Sequence, residues 1–411
     1  MLLKVVIAPS GFTNSIDGDL AADAIEQGVL RALKVAGIVK VPTLNHNQSF
    51  TKALVSMTGG ILHQRLVMGP TWQLVPAQFG FLGGEQHKTA VMDTRLPVPT
   101  SLKPFDQRKP LRTTSYGVGE LIKAALDEGA ERILLACGGS GVFDCGMGMT
   151  QALGGRFLDG AGQELGRGGE ELNLLEQIDL SQLDPRIRNM RIDIACDWRE
   201  VLCGGAGIAR TFSPRKGGSM EMVEEMSLAL ERFAALLERD FGAYVRQIPG
   251  GGAAGGVAAC AYALFGAVLH PNTEIVMDYL RLNALLKDAD VIITTTGVWR
   301  AGIQHDTLSE LVLRRAHQMA IPVISLDTVR GSRADAQETQ EAARVNDSSQ
   351  VAARRLTADG HWSDELSKAA EKTMHPMMIG YRAAQKALRE DIHFILADKQ
   401  PKTLTHFNRK R

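Results

Sequence analysis

The stretch RILLACGGSGVFDCGMGM, from Arg132 to Met149, decides the fold of this chain. Its opening residues, Arg132 to Ala136, form a short aliphatic run of the kind that makes a buried strand. Glycines come next and form a tight turn before the next helix. A strand that leads through a glycine turn into a helix is the repeating unit of α/β folds with parallel sheets.

The same alternation recurs on both sides of this stretch. Short aliphatic runs predict further strands, at Val5 to Ala8, Ile192 to Ala195, Val291 to Thr294 and Pro322 to Leu326. Apolar residues spaced three and four apart predict helices, at Asp19 to Leu33, Gly117 to Leu126, Glu221 to Leu237 and Thr307 to Gln318. These patterns indicate an α/β fold, interrupted by a β-rich segment from about Gly69 to Asp93.

The charge balance excludes several kinds of partner. The 46 Lys and Arg residues equal the 46 Asp and Glu residues, so the chain lacks the positive field of a general binder of nucleic acids or anionic membranes. The apolar stretch from Ala253 to Leu269 is dominated by Ala and Gly and is too short to span a bilayer, so it predicts a buried core helix. We therefore expect a small-molecule partner.

Cysteine usage indicates a reducing compartment. The chain has 5 cysteines, an odd number without the paired spacing of a zinc site, and its first residues do not read as a secretory signal. A cytoplasmic location is the expectation. Cys137 and Cys145 flank the glycine turn, where a buried apolar role is favoured and a reactive pair is the alternative.

Two glycine-rich turns are candidates for binding an anion. Exposed amide N–H groups at a strand-to-helix turn attract phosphate or carboxylate oxygens. The first turn supplies Gly138, Gly139 and Ser140. The second, within PGGGAAGG, supplies Gly250, Gly251 and Gly252. Neither turn has a Walker A or dinucleotide-binding pattern, and a tight connection without a ligand is the alternative for each.

Charged residues beside such turns are the candidates for chemistry. Asp197 lies just beyond a predicted strand end, where open α/β sheets bind ligands, and it is a candidate metal ligand or proton acceptor. Lys216, within SPRKGG, is a candidate contact for phosphate or carboxylate oxygens. A helix cap and a solvated cation are the respective alternatives. Asp144 either contacts an anionic substrate site or satisfies the backbone N–H groups of its own turn.

Several ordered blocks of this sequence resemble those of the bacterial type I glycerate kinases. They extend from about Leu3 to Asp327, and the residues beyond Asp327 match only loosely. The blocks are VIAP at 6–9, AADAIEQG at 21–28, TTSYGVGELI at 113–122, GGS at 138–140, GRFLDGAGQELGRGG at 155–169, ACD at 195–197, PRKG at 214–217, PGGGAAGG at 249–256 and EIV at 274–276.

The resemblance implies an α/β fold of two α/β domains with a cleft between them. One domain is flavodoxin-like and discontinuous, and the other is inserted in the middle of the chain. We therefore predict a flavodoxin-like domain from residues 1–68 plus 275–395, an inserted α/β domain over 69–274, and a basic tail over 396–411.

The resemblance also implies phosphorylation of D-glycerate by Mg-ATP. Its partners would be a small anionic hydroxy acid and a nucleotide, and a homodimer is one alternative for its assembly. By the same resemblance, Asp197 and Lys216 are the expected catalytic residues. The expected contacts to substrate or phosphate are Gly138, Gly139, Ser140, Asp144, Gly250, Gly251, Gly252, Glu120 and His305. The metal ligands stay unknown: His46 and His305 with Glu200 are one alternative, although no spacing in the sequence requires it.

Several charged positions of the family pattern carry neutral residues in this chain. Ser10 and Thr13 stand where the family has an aspartate and a lysine, and Asn45 and Gln48 stand where it has an aspartate and a glutamate. Phosphoryl transfer depends on such groups to hold Mg²⁺ and to stabilise the spread charge. We therefore do not expect an efficient family reaction from these residues.

Two other functions stay open. One is a catalytically silent family member that binds a ligand or acts as a regulator. The other is different chemistry on the same scaffold, because a fold alone does not determine a reaction. Residues that could build such a new site are Arg95, Trp198, Arg199, Glu200 and Arg300.

Overall fold

The structure of this chain is a computed structural model. The model describes residues 3–9, 18–33, 36–41, 49–84, 87–96, 110–138, 141–212, 220–279, 281–296, 308–328, 354–356, 367–368, 370–372 and 374. The chain divides into two compact units. The first comprises Met1–Thr43, Leu285–His305 and Val312–Arg411, and the second comprises Leu44–Ala284 and Asp306–Leu311. The predicted basic tail at 396–411 lies outside the described residues.

Strands and helices alternate along most of the described chain. The strands are β1 (Leu3–Pro9), β2 (Ala36–Lys40), β3 (Ile61–Met68), β4 (Leu74–Phe81), β5 (Thr89–Asp93), β6 (Arg132–Cys137), β7 (Arg156–Leu158), β8 (Gln177–Asp179), β9 (Arg191–Cys196), β10 (Val268–Pro271), β11 (Val291–Thr296), β12 (Val323–Thr328) and β13 (Arg354–Leu356). The α-helices are α1 (Gly18–Ala32), α2 (Phe50–Thr58), α3 (Tyr116–Asp127), α4 (Met147–Ala152), α5 (Ile208–Phe212), α6 (Met220–Phe241), α7 (Val257–Phe265), α8 (Asn272–Tyr279), α9 (Leu282–Leu286) and α10 (Leu308–Gln318). Each strand and helix predicted from the sequence is present.

The first unit contains a five-stranded parallel sheet in the order β13-β12-β11-β1-β2. Counted along the chain within this sheet, the spatial order is 2-1-3-4-5, which is the flavodoxin-like order. The prediction of a flavodoxin-like unit built from both parts of the chain is therefore confirmed. Its core joins the sheet to α1 through buried side chains such as Ile7, Ile25 and Ile293.

The helix α1 also contacts a segment far along the chain. A Cβ on Gly28 would lie 2.0 Å from the carbonyl oxygen of Ser367, so only glycine allows this approach. Nearby, the Arg31 guanidinium donates to the Ser367 hydroxyl at 2.6 Å and pairs with the Glu371 carboxylate at 2.8 Å. Ser367 and Glu371 therefore contact the first helix, and Ala370 and Met374 share the core cluster of this unit.

The second unit contains a six-stranded sheet in the order β10-β9-β6-β5-β4-β3. The strands from β10 to β5 are parallel, and β4 and β3 form an antiparallel meander beside them. This meander confirms the β-rich segment expected from the sequence. Alternate residues of β6 enter different cores, Ile133 and Leu135 on one face and Leu134 and Ala136 on the other. Burial on both faces explains the uninterrupted apolar run in RILLAC.

The predicted domain boundaries at residues 68 and 275 differ from this division. The strand β3 pairs with β4 from Ile61 opposite Phe81 to Met68 opposite Leu74, so the hairpin cannot be divided at residue 68. The helix α8 buries Ile275 and Val276 against the second unit's sheet. Long-range pairing, which local sequence patterns do not report, moves both segments into the second unit.

The predicted core helix after the glycine loop is present as α7. It is shorter than the apolar stretch that suggested it, because Gly266 ends the helix in a left-handed conformation with φ of 67°. The remainder of the stretch leads into β10. None of the described helices has both the length and the apolarity that a membrane span requires.

Candidate active site

Three neighbouring strand ends define the candidate site in the second unit. The parallel strands β5, β6 and β9 end side by side at Asp93, Cys137 and Cys196, and Cys137 lies opposite Cys196 in the register. Gly138 and Asp197 come directly after β6 and β9 and therefore share the carboxyl edge of the sheet, where open α/β sheets bind ligands. Among the described residues, none has an atom within 4 Å of a Cβ placed on the exposed Gly138.

Asp197 forms a close pair with Arg199 at this edge. The carboxylate Oδ1 accepts from the Arg199 amide and Nε, both at 3.0 Å, and Oδ2 accepts from Nη2 at 2.7 Å. The two side chains are 41% and 59% exposed, and an exposed ion pair of this kind contributes little stability. The Asp197 carboxylate thus stays half-exposed while it pairs with Arg199.

The same local arrangement occurs in a second place. Asp184 accepts from the Arg186 amide and Nε at 3.0 Å and from Nη2 at 2.6 Å. An aspartate two residues before an arginine therefore adopts this geometry in two different turns of the chain. The pairing of Asp197 with Arg199 is therefore a local feature of the turn. Asp197 differs from Asp184 in that it lies at the carboxyl edge of the sheet.

The glycines of the second turn pack tightly against the exit of β9. A Cβ on Gly250 would lie 2.3 Å from the Cys196 Sγ, and one on Gly252 would lie 2.5 Å from the Val201 carbonyl oxygen. The Gly251 amide donates to the Ile248 carbonyl and the Gly252 amide to the Glu200 carbonyl, both at 3.0 Å. These amides are thus engaged by the chain itself, which corrects the expectation that the turn offers them to an anion.

Asp144 is fully buried and serves the turn in which it lies. Its carboxylate accepts from the Ser115 amide at 2.6 Å and hydroxyl at 2.9 Å, and from the Gly146 and Gly148 amides at 3.1 Å. Burial raises the pKa of this carboxyl, and these hydrogen bonds oppose the rise. A substrate cannot reach a carboxylate enclosed in this way, so the structure corrects the expected contact and favours the alternative of turn stabilisation.

Glu120 connects a helix to an edge strand. From α3, its Oε2 accepts from the Met68 amide at 2.6 Å. Met68 ends β3, which runs parallel to β9, so this contact lies at the same edge of the sheet as Asp197. In the order of the sheet β3 and β9 are four strand spacings apart, about 19 Å, so the structure does not bring Glu120 beside Asp197.

The other expected residues fall on parts of the chain that are not described. Gly139, Ser140, Lys216 and His305 lie outside the described residues, as do Ser10, Thr13, Asn45, Gln48 and Arg300. Among the residues proposed for a new site, Trp198, Arg199 and Glu200 occupy the turn after β9, and Arg95 is exposed after β5.

Two aspartates in the sheet were not singled out by sequence reasoning. Asp93 ends β5, and its Oδ2 accepts from the Ser49 hydroxyl at 2.7 Å and from the Thr51 hydroxyl at 3.0 Å, at the start of α2. Asp193 is buried within β9 and contacts His270 at 2.9 Å and Tyr279 at 3.2 Å. In the sequence, each of these residues is the single acidic side chain in an otherwise apolar run, and this was the signal that could have identified them.

The cysteines form no disulfide and are all buried. Burial raises the pKa of Cys137 and of Cys145 well above the ordinary range of a thiol, so neither is a thiolate at neutral pH. The favoured interpretation, a buried apolar role, agrees with this geometry. In the part of the chain that is described, no three His, Cys, Asp or Glu side chains converge as a metal site.

Comparison with known proteins gives the relationships of this chain. The model of the glycerate kinase family matches residues 5–378. The chain belongs to the glycerate kinase family. Two of its relatives are the glycerate kinase of Haemophilus influenzae, 40% identical over 79% of this chain and 85% of that protein, and the glycerate kinase of Bacillus subtilis, 37% identical over 79% and 84%.

A solved structure extends this relationship to the fold. The crystal structure of glycerate kinase 2 from Salmonella typhimurium LT2 matches with a TM-score of 0.78 at 33% identity, over 94% of this chain and all of that one.

Proposed function

We propose that this chain transfers the γ-phosphoryl group of ATP to a hydroxyl of D-glycerate, giving phosphoglycerate and ADP. The observation that carries the proposal is the family match over residues 5–378, together with relatives named glycerate kinase at 36–40% identity. The described strand ends support it, because they place the half-exposed Asp197 carboxylate and the exposed Gly138 at one edge of the sheet. A cytoplasmic location is proposed from the five cysteines, which are buried and unpaired.

Asp197 is the proposed catalytic residue at the edge of the sheet. In the reaction, the bond between the γ phosphorus and the bridging oxygen breaks and ADP leaves, while the acceptor hydroxyl oxygen bonds to that phosphorus and passes its proton to a base. Mg-ATP supplies the phosphoryl group and the cation that neutralises its charge. Mg²⁺ in such sites is held by one or two carboxylates plus phosphates. The Asp197 carboxylate fits either task, as a Mg²⁺ ligand or as the proton acceptor, once it exchanges Arg199 for the ligand.

The remaining roles follow the family pattern. Lys216 is proposed to contact the phosphates, because a cation there offsets the charge spread over the transferred group. Gly138, Gly139, Ser140 and His305 are proposed to bind the substrate or its phosphate. Asp144 and the glycines from Gly250 to Gly252 are proposed to act indirectly, by holding the two turns that flank the end of β9.

The decisive experiment measures ADP formation from Mg-ATP with and without D-glycerate. We expect acceptor-dependent turnover, and we expect Asp197→Asn to lower kcat by about 10²–10³, the usual cost of removing one well-placed electrostatic group. The matched control is Asp184→Asn, which changes the same kind of aspartate-arginine pair away from this edge. Turnover at the wild-type rate in Asp197→Asn would refute its role. The absence of turnover in the folded wild-type chain would refute the function.

A catalytically silent member of the family is the second candidate. It is favoured by the neutral residues at positions 10, 13, 45 and 48, where the family has charged ones. Such a protein would be stabilised by nucleotide or glycerate in thermal unfolding, without forming ADP. Stabilisation together with turnover would exclude this candidate.

A further inference from the structure

The strand β3 is the edge of the second unit's sheet and carries exposed apolar residues. It lies last in the order β10-β9-β6-β5-β4-β3, and no described strand pairs with its outer side. Ile61 is 66% exposed and Leu66 is 71% exposed. Edge strands of monomeric proteins are usually protected by lysine, proline, a bulge or a covering segment. Among the residues 61–68 there is no lysine or proline.

The hydrogen-bond pattern shows which backbone groups of β3 face outward. The Gly69 amide donates to the Gln73 carbonyl at 2.7 Å at the end of the hairpin. In an antiparallel ladder the bonded pairs alternate, so the odd-numbered residues of β3 bond to β4 and the even-numbered ones point away from it. The Met68 amide follows this pattern, because it donates to Glu120 from the other side. The backbone groups of Leu62, Gln64 and Leu66 therefore form the outer edge.

The sequence of this edge is self-complementary. Around Gln64 it reads ILHQRLV over residues 61–67, with leucine two residues away on each side and Ile or Val three residues away. The one charged side chain near the centre, Arg65, turns back to the Glu128 carboxylate at 2.5 Å and to the Gln64 carbonyl at 3.0 Å. The centre of the edge thus has apolar side chains in a symmetric order and a neutralised charge.

We infer that two copies of this chain associate through β3, antiparallel about a two-fold axis at Gln64. Leu62 of one copy then lies opposite Leu66 of the other, and Gln64 lies opposite its own symmetry mate. A two-fold interface requires the same patch on both subunits to be complementary to itself, which the order of residues 61–67 satisfies. Three bonded pairs give about six backbone hydrogen bonds, and two of these, one at each copy's Gln64 carbonyl, replace the contact from Arg65. The two six-stranded sheets become continuous.

The neighbouring strand extends the apolar contact on one face. In the register of the hairpin, Leu66 lies opposite Pro76 and Met68 lies opposite Leu74, which is 67% exposed. These side chains share the face of the sheet that carries Leu62. Pairing of the edges would bring the two apolar faces together around the axis and remove them from water, which favours association.

Analytical ultracentrifugation between about 0.1 and 100 μM tests the inference, because this range covers dissociation constants around the micromolar level. We expect a wild-type dimer and a shift towards monomer in Leu66→Lys, with dimerisation weakened by more than about 100-fold, because the symmetry buries the new charge twice. The matched control is Leu228→Lys, since Leu228 is 68% exposed on α6 and lies outside this edge. A monomeric wild type, or a Leu66→Lys variant that stays dimeric, would overturn the inference. Circular dichroism verifies that each variant is folded.

A cysteine placed on the axis provides an independent test. The α carbons of directly opposed bonded residues are about 5.5 Å apart, within the range that a disulfide spans. Under mild oxidation with diamide, Gln64→Cys is expected to form covalent dimers, whereas Leu228→Cys is not. The native cysteines are buried and give little background. Equal crosslinking of the two variants would contradict the pairing. Neither test depends on turnover, so both stand apart from the proposed function.

Discussion

At the scale of single residues, the buried Asp144 carboxylate links two segments of the second unit. This carboxylate accepts from the amide and hydroxyl of Ser115, the residue just before α3, and from the Gly146 and Gly148 amides at the start of α4. A buried carboxylate is costly unless hydrogen bonds satisfy it. Here the donors converge from two segments about thirty residues apart. The sequence shows that residue 144 is an aspartate, but it does not show that donors from two segments meet at its carboxylate.

Removing this carboxylate is expected to destabilise the fold. Asp144→Ala leaves four buried donors without their acceptor and should lower the free energy of unfolding by about 3 kcal/mol or more. The control is Asp159→Ala, whose exposed carboxylate accepts from the Ala161 and Gln163 amides and whose loss should cost about 1 kcal/mol. Urea unfolding measures both values. Equal costs for the two substitutions would show that the burial of Asp144 contributes nothing.

At the scale of elements, two loops support each other beside the strand ends. The Cys145 amide donates to the Gly255 carbonyl at 3.1 Å, and a Cβ on Gly255 would lie 1.7 Å from the Val142 carbonyl oxygen. The turn after β6 and the turn before α7 are therefore in direct backbone contact. From the sequence, the two turns were predicted as separate candidates for ligand binding, because local sequence does not indicate which loops contact each other.

Substitution of Gly255 tests this contact against backbone conformation alone. Gly255 has a φ of +70°, and Gly266 has a φ of +67° with nothing within 4 Å of a Cβ. Gly266→Ala should cost about 1 kcal/mol for the left-handed conformation. Gly255→Ala should cost about 3 kcal/mol or more, because a backbone clash is added. Denaturant midpoints provide the comparison, and similar values for both variants would argue against a tight contact between the loops.

At the scale of the whole molecule, five buried thiols make stability depend on alkaline pH. Burial raises the pKa of Cys196, Cys203 and Cys260 from 9.0 to about 12. Above pH 9 the unfolded chain releases these protons while the folded chain keeps them. The stability that the protonated thiols contribute is therefore complete below pH 9 and is lost as the pH rises from 9 towards 12.

This dependence can be measured with a single variant. Between pH 9 and pH 11 each buried thiol should lower the free energy of unfolding by about 1 kcal/mol per pH unit. Cys260→Ala removes one titrating thiol, so its stability should fall less steeply with pH, although it starts from a lower value because a packed side chain is lost. Urea unfolding across this range gives both slopes. If the free energy of unfolding fell with the same slope against pH in the wild type and in Cys260→Ala, the titration would not belong to Cys260.

The candidate site was predictable to the extent that it lies at strand ends. Gly138 and Asp197 come after apolar runs that the sequence marks as strands, and the ends of parallel strands share an edge. The roles of Asp144 and of Gly250 to Gly252 were not predictable in this way. Their hydrogen bonds and close contacts go to the chain itself, and a turn that binds a ligand has the same local sequence as a turn that binds its neighbour.

By itself, the sequence determined the α/β class, the positions of the strands and helices, and the membership of the glycerate kinase family. These depend on hydrophobic periodicity and on ordered local blocks, which a linear chain carries in full. Only the tertiary structure decided where the units divide, because β3 is assigned by its pairing with β4 and α8 by its burial on β9. It likewise decided that β3 is an edge strand among the described strands. Pairing and burial join residues that are distant in the chain, and local patterns hold no information about which partner is chosen.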